Sequence, residues 1–201
     1  MSQKAHAHFL EQSRKHHKRL HKVFKTYGPM RLYKRKQIDL ASLLCRSIAG
    51  QQLSVKAAAT IWGRFADKTG STPLMTYLDN AREQDLRSCG LSRAKTKAMF
   101  AVAEAHRSGI LDEQKLRLMS HPQRSLQLTS IWGVGQWTAN MLNIFYFGEK
   151  DIWPDKDVAV RNNFLKLIGD NKNSILESEK FAPYRTYLAL YMWRVANARP
   201  D

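Results

Sequence analysis

The sequence predicts an all-α protein built from roughly nine to eleven short helices. Three observations carry that reading. Apolar residues recur at helical spacing from Leu40 onward. Serines, prolines and glycines stand where helices start and stop. No alternating stretch bounded by hairpin turns argues for a sheet. With 201 residues and 43% hydrophobic content, the chain suits one compact domain or two lobes sharing a cleft, which excludes disorder of the whole chain.

Residues 1–36 hold eleven Lys or Arg and a single acid, Glu11, so ten of the sixteen net positive charges fall in the first sixth of the chain. Within that basic segment Phe9, Leu10, Leu20, Val23 and Phe24 fit a helix that docks through its apolar side, and Tyr27-Gly28-Pro29 ends it. His16, His17 and His21 include metal-ligand spacing, but no acid or Cys joins them, so they read as a solvated helix face. Leu40, Leu43, Leu44 and Ile48 form the next stripe, broken at Gly50, and Ser54 caps a helix carrying Val55, Ala58, Ala59, Trp62 and Phe65. Thr72-Pro73 opens a helix, Cys89-Gly90 stops one, Ser92 caps Arg93 to Arg107, and Ser108-Gly109 stops that. Further helices are expected over Gln136 to Phe147, Val158 to Ile168 and Pro183 to Ala196, the last with Tyr187, Leu188, Tyr191 and Met192.

Composition narrows the function classes. No apolar run approaches the ~20 residues of a bilayer span, and the first residues lack an apolar signal core, so a soluble, non-secreted protein without a membrane partner is expected. It would work in the cytoplasm or nucleoid of a bacterium or archaeon, or in a eukaryotic nucleus. Cys45 and Cys89 are too few for a disulfide framework, a four-thiolate zinc site or a cysteine-ligated iron–sulfur cluster. A net charge of +16 and an isoelectric point near 10.1 concentrate polyanions at the surface, which makes nucleic acid the first partner expected.

The most informative stretch is LTSIWGVGQWTANMLNIF, Leu128 to Phe145. Gly133 and Gly135 flank Val134 between two helical patterns, as in a turn needing positive φ or close backbone approach. Such a turn, Gly133, Val134, Gly135, Gln136 and on to Thr138, aims amides outward at a helix start and makes a phosphate site that reads no bases. A glycine-packed corner between two helices is the alternative.

Taken whole, I-x-G-V-G-x-W-T-A-N resembles the hairpin of the helix-hairpin-helix (HhH-GPD) DNA glycosylase superfamily. SIAGQQLSVKAAATI, Ser47 to Ile61, resembles that superfamily's wedge-bearing segment. APYRTYLALYMW, Ala182 to Trp193, resembles the closing helix of its 3-methyladenine DNA glycosylase II branch. The resemblance implies a two-lobed all-helical fold, with one lobe at about 45–145 including the hairpin and the other formed by about 1–40 plus 146–201. It implies a damaged base bound in the cleft, no required cofactor, and Na+ or K+ at the carbonyls of Thr129, Ile131 and Val134 when DNA is bound. The larger bacterial relatives carry an extra β-rich amino-terminal domain, and a compact catalytic core without it is the expectation here.

A carboxylate opens the helix of Val158, Val160 and Phe164 in DIWPDKDVAVRNNF, Asp151 to Phe164. Asp155 or Asp157 could each be an N-cap. The resemblance assigns the essential aspartate to Asp157, twenty residues after Trp137, with Asp155 behind it. Breaking an N-glycosidic bond builds positive charge on the sugar, which a fixed carboxylate stabilises while it orients or deprotonates water. An N3- or N7-alkylated purine leaves as a neutral base and requires no second acid.

Bifunctional members place a Schiff-base lysine two residues after the second hairpin glycine, where this chain has Trp137. The resemblance therefore implies a monofunctional enzyme that leaves an abasic site. Trp137 and Trp193 match the branch's pocket aromatics, whose indole faces favour a cationic ring; Met141 stands where some relatives have a further aromatic. For the wedge that replaces a flipped base, Gln52 comes first, with Leu53 and Gln51 behind it. Arg46, Lys56, Arg93 and Lys95 are plausible phosphate contacts or solvated charges.

These features point to a monomeric, monofunctional glycosylase for alkylated purines in double-stranded DNA. Two alternatives remain: a non-catalytic hairpin DNA-binding module, and a same-fold glycosylase for mismatched or oxidised bases.

Overall fold

In the computed structural model, residues 2–34 and 38–197 are described, and among them are thirteen α-helices, one π-helical turn and no strand. Ten helices have seven residues or more, within the roughly nine to eleven expected. The other three, at Glu83–Arg87, Ser174–Glu179 and Glu113–Leu118, are too short to show an apolar period, and of them only Glu83–Arg87 had a sequence signal, the stop at Cys89-Gly90. None of these helices is long and apolar enough to cross a membrane. The chain divides into two compact units, one formed by the described residues up to Lys34 and from Phe147 onward, the other by those between, up to Tyr146.

The first unit contains α1 (Ser2–His16), α2 (Lys18–Tyr27), α11 (Val158–Ile168), α12 (Ser174–Glu179) and α13 (Arg185–Asn197), with α2 against α1, α11 and α13. Its core is aromatic: Phe9, Phe24, Phe164, Phe181 and Tyr191 are at most 1% exposed. Ring centroids lie 5.1 Å apart for Phe9–Phe24 and 4.9 Å for Phe24–Tyr191. Each buried Phe contributes about 1.5–3 kcal/mol, so the basic segment is docked as expected. It forms two helices where one was expected, because His17 leaves helical geometry at φ −138° and ψ 66°. The solvated face predicted for the histidines is corrected at His17, which is 3% exposed with its ring 6.5 Å from that of Phe181 and its Nε2 3.4 Å from Glu177, and at His21, which is half-buried with Nδ1 3.0 Å from Ser13 Oγ; the His16 side chain lies outside the described residues.

The second unit contains α3 (Leu40–Gly50), α4 (Val55–Thr69), α5 (Leu74–Asn80), α6 (Glu83–Arg87), α7 (Arg93–Arg107), α8 (Glu113–Leu118), α9 (His121–Thr129) and α10 (Gln136–Leu142). Leu44, Cys45 and Ile48 of α3 are fully buried, and α3 packs on α4, α5, α7 and α10. The expected serine caps are present: Ser54 accepts the Ala57 amide at 3.2 Å and Ser92 that of Lys95 at 3.3 Å.

The helix expected over Gln136 to Phe147 is α-helical only to Leu142 and continues as a π-helical turn, Asn143–Phe147. Fully buried Asn143 donates from Nδ2 to Ala139 O (2.9 Å) and Ser125 Oγ (3.1 Å), and accepts from Arg124 Nη1 at 2.8 Å. A side chain that bonds the carbonyl four residues back competes with the helical ladder, which accounts for the wider turn. The last helix begins at Arg185, two residues later than expected.

Candidate active site and nucleic-acid interface

In the second unit the hairpin leaves α9 at Thr129 and closes with the Val134 amide donating to Ile131 O at 3.0 Å. Gly133 has φ +84°, and a Cβ there would lie 2.4 Å from Ala98 Cβ, so conformation and packing both demand glycine. Gly135 is the N-cap of α10 and offers no side chain to the first-turn amides, which have no acceptor within the helix. Val134 and Thr138 are 5% and 2% exposed. Their side chains are withdrawn from solvent, and the Thr138 hydroxyl accepts from Gln51 Nε2 at 3.3 Å, so only backbone amides are left for the phosphate role read in the sequence. Gln136 is exposed and donates to Asn140 Oδ1 at 2.9 Å.

Trp137 is 39% exposed on the first turn of α10, and Met141 is half-buried one turn later. Trp132 is 46% exposed, with Lys97 Nζ 4.5 Å from its ring centroid. That cation beside the hairpin had no signal in the local sequence.

The turn after α3 separates the wedge residues. Gln52 is exposed with φ +57°, the one non-glycine in the left-handed region among the described residues, a conformation that costs about 1–2 kcal/mol. Such strain clusters at functional sites. Leu53 beside it is 39% exposed. Gln51, by contrast, is half-buried and donates from Nε2 to Gly133 O (3.4 Å) as well as to Thr138, so it ties the turn to the hairpin. Lys95 is likewise corrected. Its Nζ donates to Ala49 O and Gln51 O, both at 2.8 Å, and burial lowers its pKa. Arg46, Lys56 and Arg93 are exposed, Arg93 lying 3.8 Å from Glu83.

In the first unit Asp157 is the N-cap of α11, 8% exposed, and its Oδ1 accepts the Val160 amide at 3.0 Å. The helix dipole favours its charge there. Its own amide donates to Pro154 O at 2.8 Å. The approach to it is pinned by Arg185, which donates from Nε to Asp151 Oδ1 (2.8 Å) and from Nη2 to Oδ2 (2.9 Å), and by the Ile152 amide on Thr186 Oγ1 (3.1 Å). Asp155 is held elsewhere: it accepts from Ser174 Oγ, which itself accepts from Trp153 Nε1 at 3.1 Å. Trp193 is half-buried on α13 against the aromatic core. Among the described residues no cluster of His, Cys, Asp or Glu could hold a metal ion.

Residues 45–182 match the HhH-GPD superfamily of base excision DNA repair proteins, and the chain belongs to that superfamily. DNA-3-methyladenine glycosylase 1 of Schizosaccharomyces pombe is 32% identical over 187 residues, covering 89% of this chain and 81% of that protein. Two solved structures share the fold with TM-scores of 0.80 at 29% identity. One is the Bacillus halodurans DNA-3-methyladenine glycosidase, covering 95% of this chain and 89% of that one. The other is the S. pombe 3-methyladenine DNA glycosylase in complex with abasic DNA, covering 97% of both. The superfamily, branch and all-helical fold to which the motifs pointed are those the comparisons return.

Proposed function

We propose that the protein is a monofunctional DNA glycosylase that hydrolyses the N-glycosidic bond of alkylated, cationic purines such as 3-methyladenine in duplex DNA, opening base excision repair. The observation that carries the reading is Asp157, a withdrawn carboxylate at a pinned helix start, in a chain of this superfamily. Beside C1′ that carboxylate stabilises the charge developing on the sugar and orients or deprotonates the attacking water. The base leaves neutral, because alkylation at N3 or N7 had already made the purine a cation.

Trp137 and Trp193 attract a cationic ring over a neutral one by about 0.5–2 kcal/mol, and Met141, one turn after Trp137 on α10, also contacts the base. Trp137 occupies the place of the Schiff-base lysine, so strand cleavage is not part of the reaction. Gln52, with Leu53, fills the stack vacated by the flipped nucleotide. The amides from Gly133 to Gln136 hold a phosphate. The carbonyls of Thr129, Ile131 and Val134 are neutral hard oxygens suited to Na+ or K+; Ile131 O keeps a second lone pair beyond the Val134 amide. A bound monovalent ion would supply positive charge toward the phosphate. One chain carries the whole residue set and acts as a monomer.

The test is to incubate the protein with methylated duplex DNA and with duplexes containing an oxidised or mismatched base, measuring released bases and strand nicks before and after alkali. Release of methylated purines with nicks only after alkali is expected. Release from the oxidised or mismatched duplex alone, or binding without any release, overturns the assignment in favour of another glycosylase or a non-catalytic module.

A further inference from the structure

The amino-terminal helix pair is not used by the chemistry above, yet it holds the densest charge in the chain. Because Phe9, Leu20 and Phe24 are fully buried, the amphipathic pattern forces Arg14, Lys15, Lys18, Arg19, Lys22 and Lys25 outward, and all six are exposed. They sit on anchored helices, not on a free tail. Lys18, Lys22 and Lys25 follow each other at i, i+4 and i+7, a stripe about 10 Å long. Between α1 and α2 runs a groove of about 540 Å³ lined by Leu10, Glu11, Arg14, Lys15, His21 and Lys25. Ser13 Oγ and His21 Nδ1, 3.0 Å apart, link the two helices beside it.

The cations are also uncompensated. Among the described residues no ion pair engages any of the six, although Arg107, Arg117, Lys180 and Arg185 elsewhere all have carboxylate partners. A surface serving solubility mixes both signs, whereas this one presents a single-sign field interrupted only by Glu11. Such a field attracts a partner with closely spaced negative charge, and duplex DNA presents one charge per ~1.7 Å of axis.

We propose that the α1–α2 face binds the phosphate backbone of duplex DNA and adds a lesion-independent component to affinity. The proposal rests on the DNA-acting reading above, but undamaged duplex tests it without requiring base excision. Anisotropy titrations over a series of KCl concentrations compare wild type with the quadruple variant Arg14→Gln, Lys15→Gln, Lys22→Gln, Lys25→Gln. A charge-matched control carries Lys115→Gln, Lys166→Gln, Lys172→Gln and Lys180→Gln, and circular dichroism verifies folding of each.

Each lost phosphate contact lowers the slope of log K against log salt by about 0.9. A slope reduced by at least that amount in the face variant, and by less in the control, is expected; Arg14→Lys, which keeps the charge, retains the wild-type slope. An unchanged slope in the face variant, as for a surface made for RNA or an acidic protein, overturns the proposal. So does an equal reduction in the control, which would assign the effect to net charge.

Discussion

Lys95 donates from Nζ to the carbonyl of Gln51 at 2.8 Å and to that of Ala49 at the same distance, so a cation on α7 closes the end of α3 and braces the turn that presents Gln52. Gln51 in turn donates to Gly133 O and Thr138 Oγ1. The proposed wedge and the hairpin thus share one hydrogen-bonded frame within the second unit.

Lys95→Met leaves two carbonyls without their donor and should destabilise the protein by about 1–3 kcal/mol in urea titration. The single-turnover excision rate should fall about tenfold while the salt slope of DNA binding stays constant, because the ammonium faces protein carbonyls. A slope lower by about 0.9 would restore the phosphate role read in the sequence.

Gly133→Ala combines a left-handed backbone with a Cβ placed 2.4 Å from Ala98 Cβ. Strain of about 1–2 kcal/mol and overpacking of about 1–3 kcal/mol predict a loss of about 2–5 kcal/mol. In a double-mutant cycle with Ala98→Gly the overpacking should be relieved and the backbone strain should persist. Strict additivity of the two losses would contradict the packing explanation.

The helices and the hairpin were legible because their signals are local. Ser54 and Ser92 cap where a serine precedes an apolar period, and Gly90 and Gly109 stop helices at φ +100° and +78°. The break at His17 had no such signal, since the amphipathic pattern runs through it and a tertiary contact with Phe181 accompanies the bend. Asn143 gives the same lesson: its partner Arg124 is nineteen residues away. At the candidate site, the motif singled out Asp157 for test, but only structure distinguishes exposed Gln52 from tethered Gln51 and turns Lys95 from a surface charge into a brace. Those assignments depend on pairs tens of residues apart, to which no periodicity responds.

Tyr146 donates its hydroxyl to Glu113 Oε2 at 2.6 Å. That bond, ahead of Arg117, holds the Glu113 pKa below its ordinary value, while burial and then Glu113 raise the Tyr146 pKa to about 12. A depressed carboxylate pKa means stability present above the unfolded value, near 4.3, and lost as pH falls through the folded one. Tyr146→Phe should flatten this acid limb between about pH 5 and 3, measured as melting temperature against pH. An unchanged slope of that limb would show that the bond does not perturb Glu113.

Phe9→Ala empties a fully buried site in the aromatic core that docks α1. A loss of about 3–5 kcal/mol is expected, read from denaturant midpoints. A loss below about 1 kcal/mol would mean that the basic segment is dispensable to the fold, contrary to the anchored charged face described above.

The role of Asp157 is tested by Asp157→Asn under single-turnover conditions, following release of 3-methyladenine from a methylated duplex. Asparagine retains an oxygen to accept the Val160 amide, so the helix cap survives and a change in rate reports the lost charge. The expected result is a rate at least about 100-fold lower, with unaltered DNA binding and melting temperature. A rate equal to that of the wild type, or a comparable loss in Asp155→Asn alone, would contradict the assignment of Asp157.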